Sequence, residues 1–480
     1  MSDNPKPGVP AALPRGGGPL PLLGLCPIGK FVFSHADALR QKQQLRQRLA
    51  EWNVRFVDLE GVLPDGIVRD QSHVDAVVGH FRERGADCVF MPHCNFGTEG
   101  AVGMIGRKLA LPVLLWGPRD EAPQPDGTRL RDTLCGLFAS SKVLGKLGVP
   151  FTYVENCRLD EPPLRRGIEV FLRAVNVARA FRDGVRIGHI GQRIDFFWTT
   201  IVNESQLLER FQVEIKPIDM VDFIGHVRDR AARGRSGYQK EASRLRQECV
   251  IEGFADDGPL INILAVRDQM LAEVRDGGLE ALAIQDFMSL VEAMGAYCFF
   301  ANSLVAEHVA IGLESDIHGA ISSLLLRRAA LGAQADFLAD VTARHPGDDN
   351  GVLLWHAGAP LSLRHERAKV RLGHHWILPS PLAGMPHFRM KDGPITIARF
   401  DGDRDHYVLA TGQGHSMEGP DTLNNYVWMK VDNWPRWERQ LMEGPFIHHA
   451  AMIYDHVADA LVEACKYVPG VKPLRLDQPG

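Results

Sequence analysis

Residues 86–100 read ADCVFMPHCNFGTEG, an apolar run that ends in a polar loop containing glycine. Such a run is typical of a buried strand, and a helical pattern over residues 72–84 precedes it. The alternation of strand and helix extends over residues ~20 to ~182 and starts again with VRIGHIGQRIDFFW at residue 185. Strands that alternate with helices predict parallel sheets covered by helices. We therefore predict an α/β protein with two doubly wound domains whose sheets are mostly parallel.

The pattern changes after Pro346, where short β-like runs are separated by Gly, Pro and Asp. Such runs predict a β-rich, barrel-like C-terminal domain, which a helix from about His448 to Tyr467 would close. The predicted division is a Pro- and Gly-rich disordered tail over residues 1–20, α/β domains over 21–182 and 183–345, and the β-rich domain over 346–480. The second α/β domain would carry the carboxylates described below.

The composition argues against several classes of partner. The 480 residues are 45% hydrophobic and 24% charged, with a net charge of −5 and a pI near 6.4, which gives no reason to expect nucleic acid or a membrane as partner. Eight cysteines without a CxxC pair predict reduced thiols and a cytoplasmic protein. A small molecule is the partner that remains.

The segment GLESDIHGA, residues 312–320, sets Glu314 and Asp316 between apolar stretches. Asp340 follows in the apolar context ADFLADV, and His448 and His449 lie in GPFIHHAAMIYDHV. Carboxylates and an imidazole around one divalent cation suit Mn²⁺ or Mg²⁺. The alternative is a helix cap, in which Glu314 and Asp316 precede a helix that begins near Ile317.

Four other side chains are candidate substrate contacts. Gln285 and Asn95 follow predicted strands, at the edge where open α/β sheets bind ligands. His356, in LLWHAGAP, could contact a sugar or support a metal ligand, and it fits equally well as a satisfied polar group at a strand end. Trp434 could stack on a sugar, although a core or interface role is the alternative.

Three segments, ESD, LADV and HH-x₆-H, occur here in an order and at distances from the C-terminus that resemble the L-fucose isomerase and L-arabinose isomerase superfamily. The resemblance extends over residues ~20 to ~470. It implies that Glu314 and Asp340 bind the metal and act as acid and base, and that His449 is the imidazole ligand. It also implies a homo-oligomer, a hexamer in the family, with active sites near subunit boundaries.

Departures from the family pattern concern the substrate. Cys26 stands where a basic residue is expected after the first strand, and the loop after the third strand has Cys94, Asn95 and Phe96 in place of a tryptophan. The metal chemistry therefore transfers more directly than the identity of the sugar.

The resemblance implies a Mn²⁺- or Mg²⁺-dependent aldose–ketose isomerase that acts on a pentose, a deoxyhexose or a related sugar. Its reaction would pass through a cis-enediol, with a cation as Lewis acid and carboxylates as base and acid. A hydride shift with two metals is the chemical alternative. The functional alternatives are a non-catalytic sugar-binding or sensor protein and a relative that uses the metal site for another carbonyl reaction, such as epimerisation.

Overall fold

The computed structural model describes residues 17–377, 381–403 and 406–478. The chain divides into an N-terminal unit, Pro19–Ala178, and a C-terminal unit that begins at Arg179. The predicted disordered tail lies outside the described residues up to residue 16. Among the described residues, no helix combines the length and apolar character needed to cross a membrane.

The N-terminal unit is a doubly wound sheet. All its strands are parallel and lie in the order β2-β1-β3-β4-β5. The central strand reads CVFMP and is buried at every residue, as expected for a strand covered on both faces. The strands are β1 (Leu23–Leu25), β2 (Phe56–Val57), β3 (Cys88–Pro92), β4 (Val113–Trp116) and β5 (Phe151–Tyr153). The helices are α1 (His35–Glu51), α2 (Val74–Glu83), α3 (Glu99–Leu109), α4 (Thr133–Lys146) and α5 (Pro162–Arg182).

The C-terminal unit contains two sheets. The first has four parallel strands in the order β10-β9-β6-β7, and the second has ten strands of mixed direction. The strands are β6 (Val185–Ile190), β7 (Val213–Ile218), β8 (Val250–Ile251), β9 (Ala281–Ile284), β10 (Ala310–Gly312), β11 (Asp336–His345), β12 (Asp348–His356), β13 (Arg371–His374), β14 (Ala383–Arg389), β15 (Pro394–Asp403), β16 (His406–Met417), β17 (Asn425–Lys430), β18 (His449–Ile453) and β19 (Val471–Arg475).

The helices of this unit flank both sheets. They are α6 (Glu204–Phe211), α7 (Met220–Arg233), α8 (Arg235–Glu248), α9 (Gly258–Gly277), α10 (Ser289–Met294), α11 (Phe299–Val305), α12 (Ile317–Ala329), α13 (Trp434–Glu443) and α14 (Ala458–Ala464). Every residue of α12 is buried. Its small and apolar residues allow it to contact β10 of the four-stranded sheet and β15 and β18 of the ten-stranded sheet.

The ten-stranded sheet has the order β19-β16-β15-β18-β11-β12-β17-β14-β13-β8, and β16 also pairs with β17. These pairings link β16, β15, β18, β11, β12 and β17 in a closed circuit. The predicted α/β class with a β-rich C-terminal part is confirmed. The ten-stranded sheet includes β11, although this strand lies before residue 346, where the predicted β-rich domain begins. The predicted domain boundaries stay predictions.

One predicted element was wrong. Residues His449–Ile453, assigned to a helix that would run from His448 to Tyr467, form strand β18, and helix α14 begins only at Ala458. The strand is buried at every residue because β11 and β15 pair with it on its two sides. A short, fully apolar run does not distinguish a buried strand from a buried helix by its period.

We expect Gly136→Ala to destabilise the N-terminal unit. A Cβ atom at this position in α4 would overlap the carbonyl oxygen of Phe96 in the loop after β3. Overpacking against rigid backbone costs about 1–3 kcal/mol. The matched control is Gly79→Ala in α2, where a Cβ meets no atom within 4 Å and a gain of about 0.5–1 kcal/mol is expected. Urea unfolding measures both, and equal effects would contradict the prediction.

Candidate metal centre

Four titratable side chains meet beside the middle of β11, where β12 ends and β18 begins. Glu314 lies in the turn Leu313–Ser315, immediately after β10. Asp340 lies in β11 directly opposite His449 of β18, so the pleat places both side chains on one face of the sheet. His356 ends β12, the strand on the other side of β11. The structure therefore brings together the two predicted carboxylates and the predicted imidazole ligand.

His449 Nε2 lies close to both carboxylates, and His356 Nε2 lies slightly farther from them. His449 Nε2 lies 3.4 Å from Glu314 Oε2 and 3.5 Å from Asp340 Oδ1. His356 Nε2 lies 3.8 Å from Glu314 Oε1 and 3.9 Å from Asp340 Oδ1. Atoms that each lie about 2.1 Å from one cation are about 3–4 Å apart. The side chains of Glu314, His356 and His449 are grouped closely enough to share an ion, as are those of Asp340, His448 and His449.

Two atoms of this cluster are buried without a hydrogen-bond partner in the described part of the chain, His449 Nε2 and Asp340 Oδ1. A buried polar atom without a partner is costly, and such atoms mark positions for a ligand, a water or an ion. Both orphaned atoms can donate a lone pair, and two carboxylates nearby supply negative charge. The donor set of two carboxylates and one imidazole therefore fits a divalent cation such as Mn²⁺ or Mg²⁺.

The electrostatics favour a positive charge at His449. Burial alone would lower the pKa of this imidazole, but its hydrogen bond to Asp316 and the nearby carboxylates of Glu314 and Asp340 raise the pKa to about 10. Burial would raise the pKa of Glu314, yet the neighbouring His449 and His356 hold it below its usual value. The carboxylates therefore attract a proton to His449 Nε2 in the metal-free protein. The same lone pair is available to a cation.

The two imidazoles of the cluster differ in tautomer. His449 Nδ1 lies 2.9 Å from Asp316 Oδ2 and donates to it, which leaves Nε2 for a ligand. His356 Nδ1 instead accepts a hydrogen bond of 2.8 Å from the backbone N–H of Ala357. A neutral imidazole that accepts at Nδ1 carries its hydrogen on Nε2. When neutral, His449 thus presents the lone pair of Nε2 to the carboxylates, whereas His356 presents an N–H to them.

Glu314 and Ser315 both adopt left-handed backbone conformations, with φ of 57° and 61°. Consecutive non-glycine residues in this region are strained and persist only where the surroundings hold them. Asp286 Oδ1 accepts the Glu314 N–H at 3.2 Å, and the Ser315 hydroxyl donates to the Gln192 carbonyl at 3.0 Å. Burial and the charge of Glu314 raise the pKa of Asp286 well above its usual value. Contacts from the ends of β6 and β9 thus hold the turn that presents Glu314.

The other predicted substrate contacts lie in different places. Gln285 donates to the Gln192 carbonyl at 3.1 Å, the same acceptor that Ser315 uses, and so lies beside the Glu314 turn. Asn95 belongs to the N-terminal unit, where its Oδ1 accepts the Lys30 N–H at 2.8 Å. Trp434 is buried at the start of α13 and is not part of the four-residue cluster. Substrate roles for these three residues stay predictions.

The helix-cap interpretation of the ESD segment holds for Asp316 alone, and the metal-ligand role of Glu314 stays a prediction. Asp316 is the N-cap of α12, because its Oδ1 accepts the Gly319 N–H at 2.8 Å, and it also supports His449. Glu314 is not a cap and faces the cluster. Sequence reasoning missed Arg399 of β15, which pairs with Asp316. The one available signal was a single arginine inside the apolar run ITIARF.

Comparisons with known proteins agree with the early resemblance. The family described as fucose/sulfoquinovose isomerase, N-terminal domain, matches residues 24–182. Sulfoquinovose isomerases of Priestia aryabhattai and Priestia megaterium are each 25% identical to the chain over 449 residues, 91% of this chain and 95% of the relative. A sulfoquinovose isomerase of Alkalicoccus urumqiensis is 24% identical over 362 residues, 74% of this chain and 79% of the relative.

We expect His449→Ala to weaken Mn²⁺ binding by at least about 100-fold, because loss of a supporting contact alone costs about 10–100-fold. His448→Ala is the matched control, since His448 is the adjacent residue, is half-exposed and lies 3.8 Å from Asp340 Oδ1. We expect its effect to be small. Titration calorimetry measures both affinities. Equal losses in the two variants would contradict the assignment of His449 as the ligand.

Proposed function

We propose that the chain is a distant member of the fucose/sulfoquinovose isomerase superfamily and acts as a divalent-metal-dependent aldose–ketose isomerase, since its N-terminal part matches that family and its relatives are sulfoquinovose isomerases. The observation that carries the proposal is the position of the buried His449 Nε2, which lies 3.4 Å from Glu314 Oε2 and 3.5 Å from Asp340 Oδ1. Two carboxylates and an imidazole this close together can supply both metal ligands and proton acceptors, which binding of a sugar alone does not require. Their arrangement therefore favours an enzyme over a sugar sensor.

Glu314, Asp340 and His449 would hold the ion, with Mn²⁺ or Mg²⁺ as the candidates. When bound, such a cation supplies a Lewis acid that stabilises negative charge on the sugar oxygens. The reaction also requires proton transfer, and the carboxylates of Glu314 and Asp340 can accept and donate the proton. Glu314 is nearly buried and Asp340 partly exposed, so one carboxylate is shielded from water while the other is open to it.

The two carboxylates would divide the proton transfers. One removes the proton from C2 of the aldose, which gives a cis-enediol, and the proton is returned at C1 to give the ketose. The hydroxyl hydrogen leaves O2 and a hydrogen is added at O1, so the atoms balance without an external oxidant or reductant. In the reverse reaction the acid and the base exchange roles.

His356 would contact the substrate as a hydrogen-bond donor. Its Nδ1 accepts a hydrogen bond from the Ala357 N–H. Its Nε2, which then carries the hydrogen, lies 3.8 Å from Glu314 Oε1 and 3.9 Å from Asp340 Oδ1. A donor in this position can stabilise negative charge that develops on a sugar oxygen. His356 differs from His449 in its tautomer, because neutral His449 carries its hydrogen on Nδ1 and offers the lone pair of Nε2.

The substrate is a sugar, and sulfoquinovose is the first candidate because the relatives carry that name. Pentoses and deoxyhexoses belong in the same panel, since the metal chemistry acts on C1 and C2, which all these aldoses share. A homo-oligomer with shared active sites stays a prediction from the family resemblance.

We expect Glu314→Gln and Asp340→Asn each to lower turnover by about 10²–10⁴-fold at saturating Mn²⁺, because the amides cannot accept a proton. His449→Ala should instead raise the metal requirement, with partial recovery in excess Mn²⁺. Ketose formation from the sugar panel measures activity. In D₂O, proton transfer incorporates deuterium into the product at the carbon that receives the proton.

A product without deuterium would contradict the proton-transfer roles of both carboxylates and favour a hydride shift, while leaving the metal centre untouched. Wild-type protein that binds Mn²⁺ but converts no sugar in the panel would contradict the proposed isomerase activity on these substrates.

We expect His356→Phe to lower turnover by about 10²–10³-fold without a change in Mn²⁺ affinity, because it removes a donor and keeps a ring. His356→Gln, which can place an amide N–H near the position of Nε2, should recover part of the loss. If His356→Phe instead loses Mn²⁺ as His449→Ala does, His356 is a ligand and its assignment as a donor is wrong.

A further inference from the structure

We infer that Arg399 is a positioning residue for the metal ligand His449, and that it acts through Asp316; the inference rests on the proposed metal-dependent function. Arg399 lies in strand β15 and His449 in strand β18. Asp316 lies in the turn before α12. Asp316 is fully buried, as are Arg399 and His449. The three residues form a continuous buried contact that ends at the lone pair of His449 Nε2.

The Asp316 carboxylate is saturated with donors. Oδ2 accepts from His449 Nδ1 at 2.9 Å and from Arg399 Nη1. Oδ1 accepts from the Gly319 N–H at 2.8 Å and from Arg399 Nη2 at 3.2 Å. The planar arginine fork holds both oxygens in one plane, which aims Oδ2 at the imidazole. Lysine has no such fork.

Arg399 is itself held at its other end. Its Nε donates to Asp401 Oδ2 at 2.9 Å, and Asp401 Oδ1 lies 3.2 Å from His318 Nδ1. The guanidinium therefore cannot swing away from Asp316 without breaking the contact to Asp401. Every second residue of the GLESDIHGA segment from Glu314 to His318 therefore takes part in this chain of contacts. Glu314 lies next to His449 Nε2, Asp316 binds His449 Nδ1, and His318 contacts Asp401 behind Arg399.

The orientation of His449 is the property that Arg399 would control. With Nδ1–H fixed on Asp316, the ring presents Nε2 to Glu314 and Asp340 at 3.4 and 3.5 Å. A ring free to rotate would present a carbon or the wrong nitrogen to the ion. Supporting contacts of this kind typically change metal affinity by about 10–100-fold.

The test compares two buried arginines. Arg399→Met should lower the Mn²⁺ affinity of the folded protein by about 10–100-fold, measured by titration calorimetry. The matched control is Arg327→Met, which breaks another buried ion pair, between Arg327 of helix α12 and Asp336 of strand β11. It should lower thermal stability but change Mn²⁺ affinity by less than about 3-fold, because supporting contacts to the ligand remain.

Arg399→Lys keeps the charge but not the fork and should give an intermediate affinity. It also carries the test if Arg399→Met does not fold. Wild-type Mn²⁺ affinity in both Arg399 variants, or an equal loss in Arg327→Met, would overturn the role of Arg399 and leave the metal centre standing. Wild-type protein that fails to bind Mn²⁺ at all would overturn the proposed function and this inference together.

Discussion

The centre of this structure depends on one buried carboxylate, that of Asp316. A charge removed from water costs several kcal/mol unless partners replace the solvent. Here the partners are an arginine from β15, an imidazole from β18 and the backbone N–H of Gly319 in the first turn of α12. No one of these elements can move alone without leaving the carboxylate unsatisfied. Helix α12 is therefore fixed to two strands of the ten-stranded sheet next to the cluster of Glu314, Asp340 and His449.

The same centre tolerates strain that an ordinary loop would not. Two consecutive left-handed residues, Glu314 and Ser315, follow β10, and each costs of the order of 1–3 kcal/mol. The cost is offset by buried contacts from Asp286 and Gln192, at the ends of β9 and β6. The carboxyl ends of these parallel strands, where ligands bind in open α/β sheets, thus serve first to shape the turn that carries Glu314.

The sequence identified the residues that cluster, but not the residues that hold them in place. Glu314, Asp340 and His449 could be proposed because carboxylates and imidazoles in apolar segments need a reason, and because their order resembled a known family. Strand β18 was mistaken for a helix because its five buried residues carry no period, so the direct pairing of Asp340 with His449 could not be foreseen. The role of Arg399 could not be predicted, because its partner Asp316 lies 83 residues away in the sequence. No local sequence rule links an arginine in a strand to a helix cap.

The pairing of Asp340 with His449 has a consequence for how the C-terminal unit reaches its native state. Successive side chains of a strand point to opposite faces, so a slip of β18 by one residue would turn His449 away from Asp340 and Glu314. The apolar sequence of β18 alone penalises such a slip only weakly, since alanines and methionine fill either face. An ion held jointly by Glu314, Asp340 and His449 would bind only the correct alignment. Metal binding would then stabilise the correct strand register over the shifted one during folding.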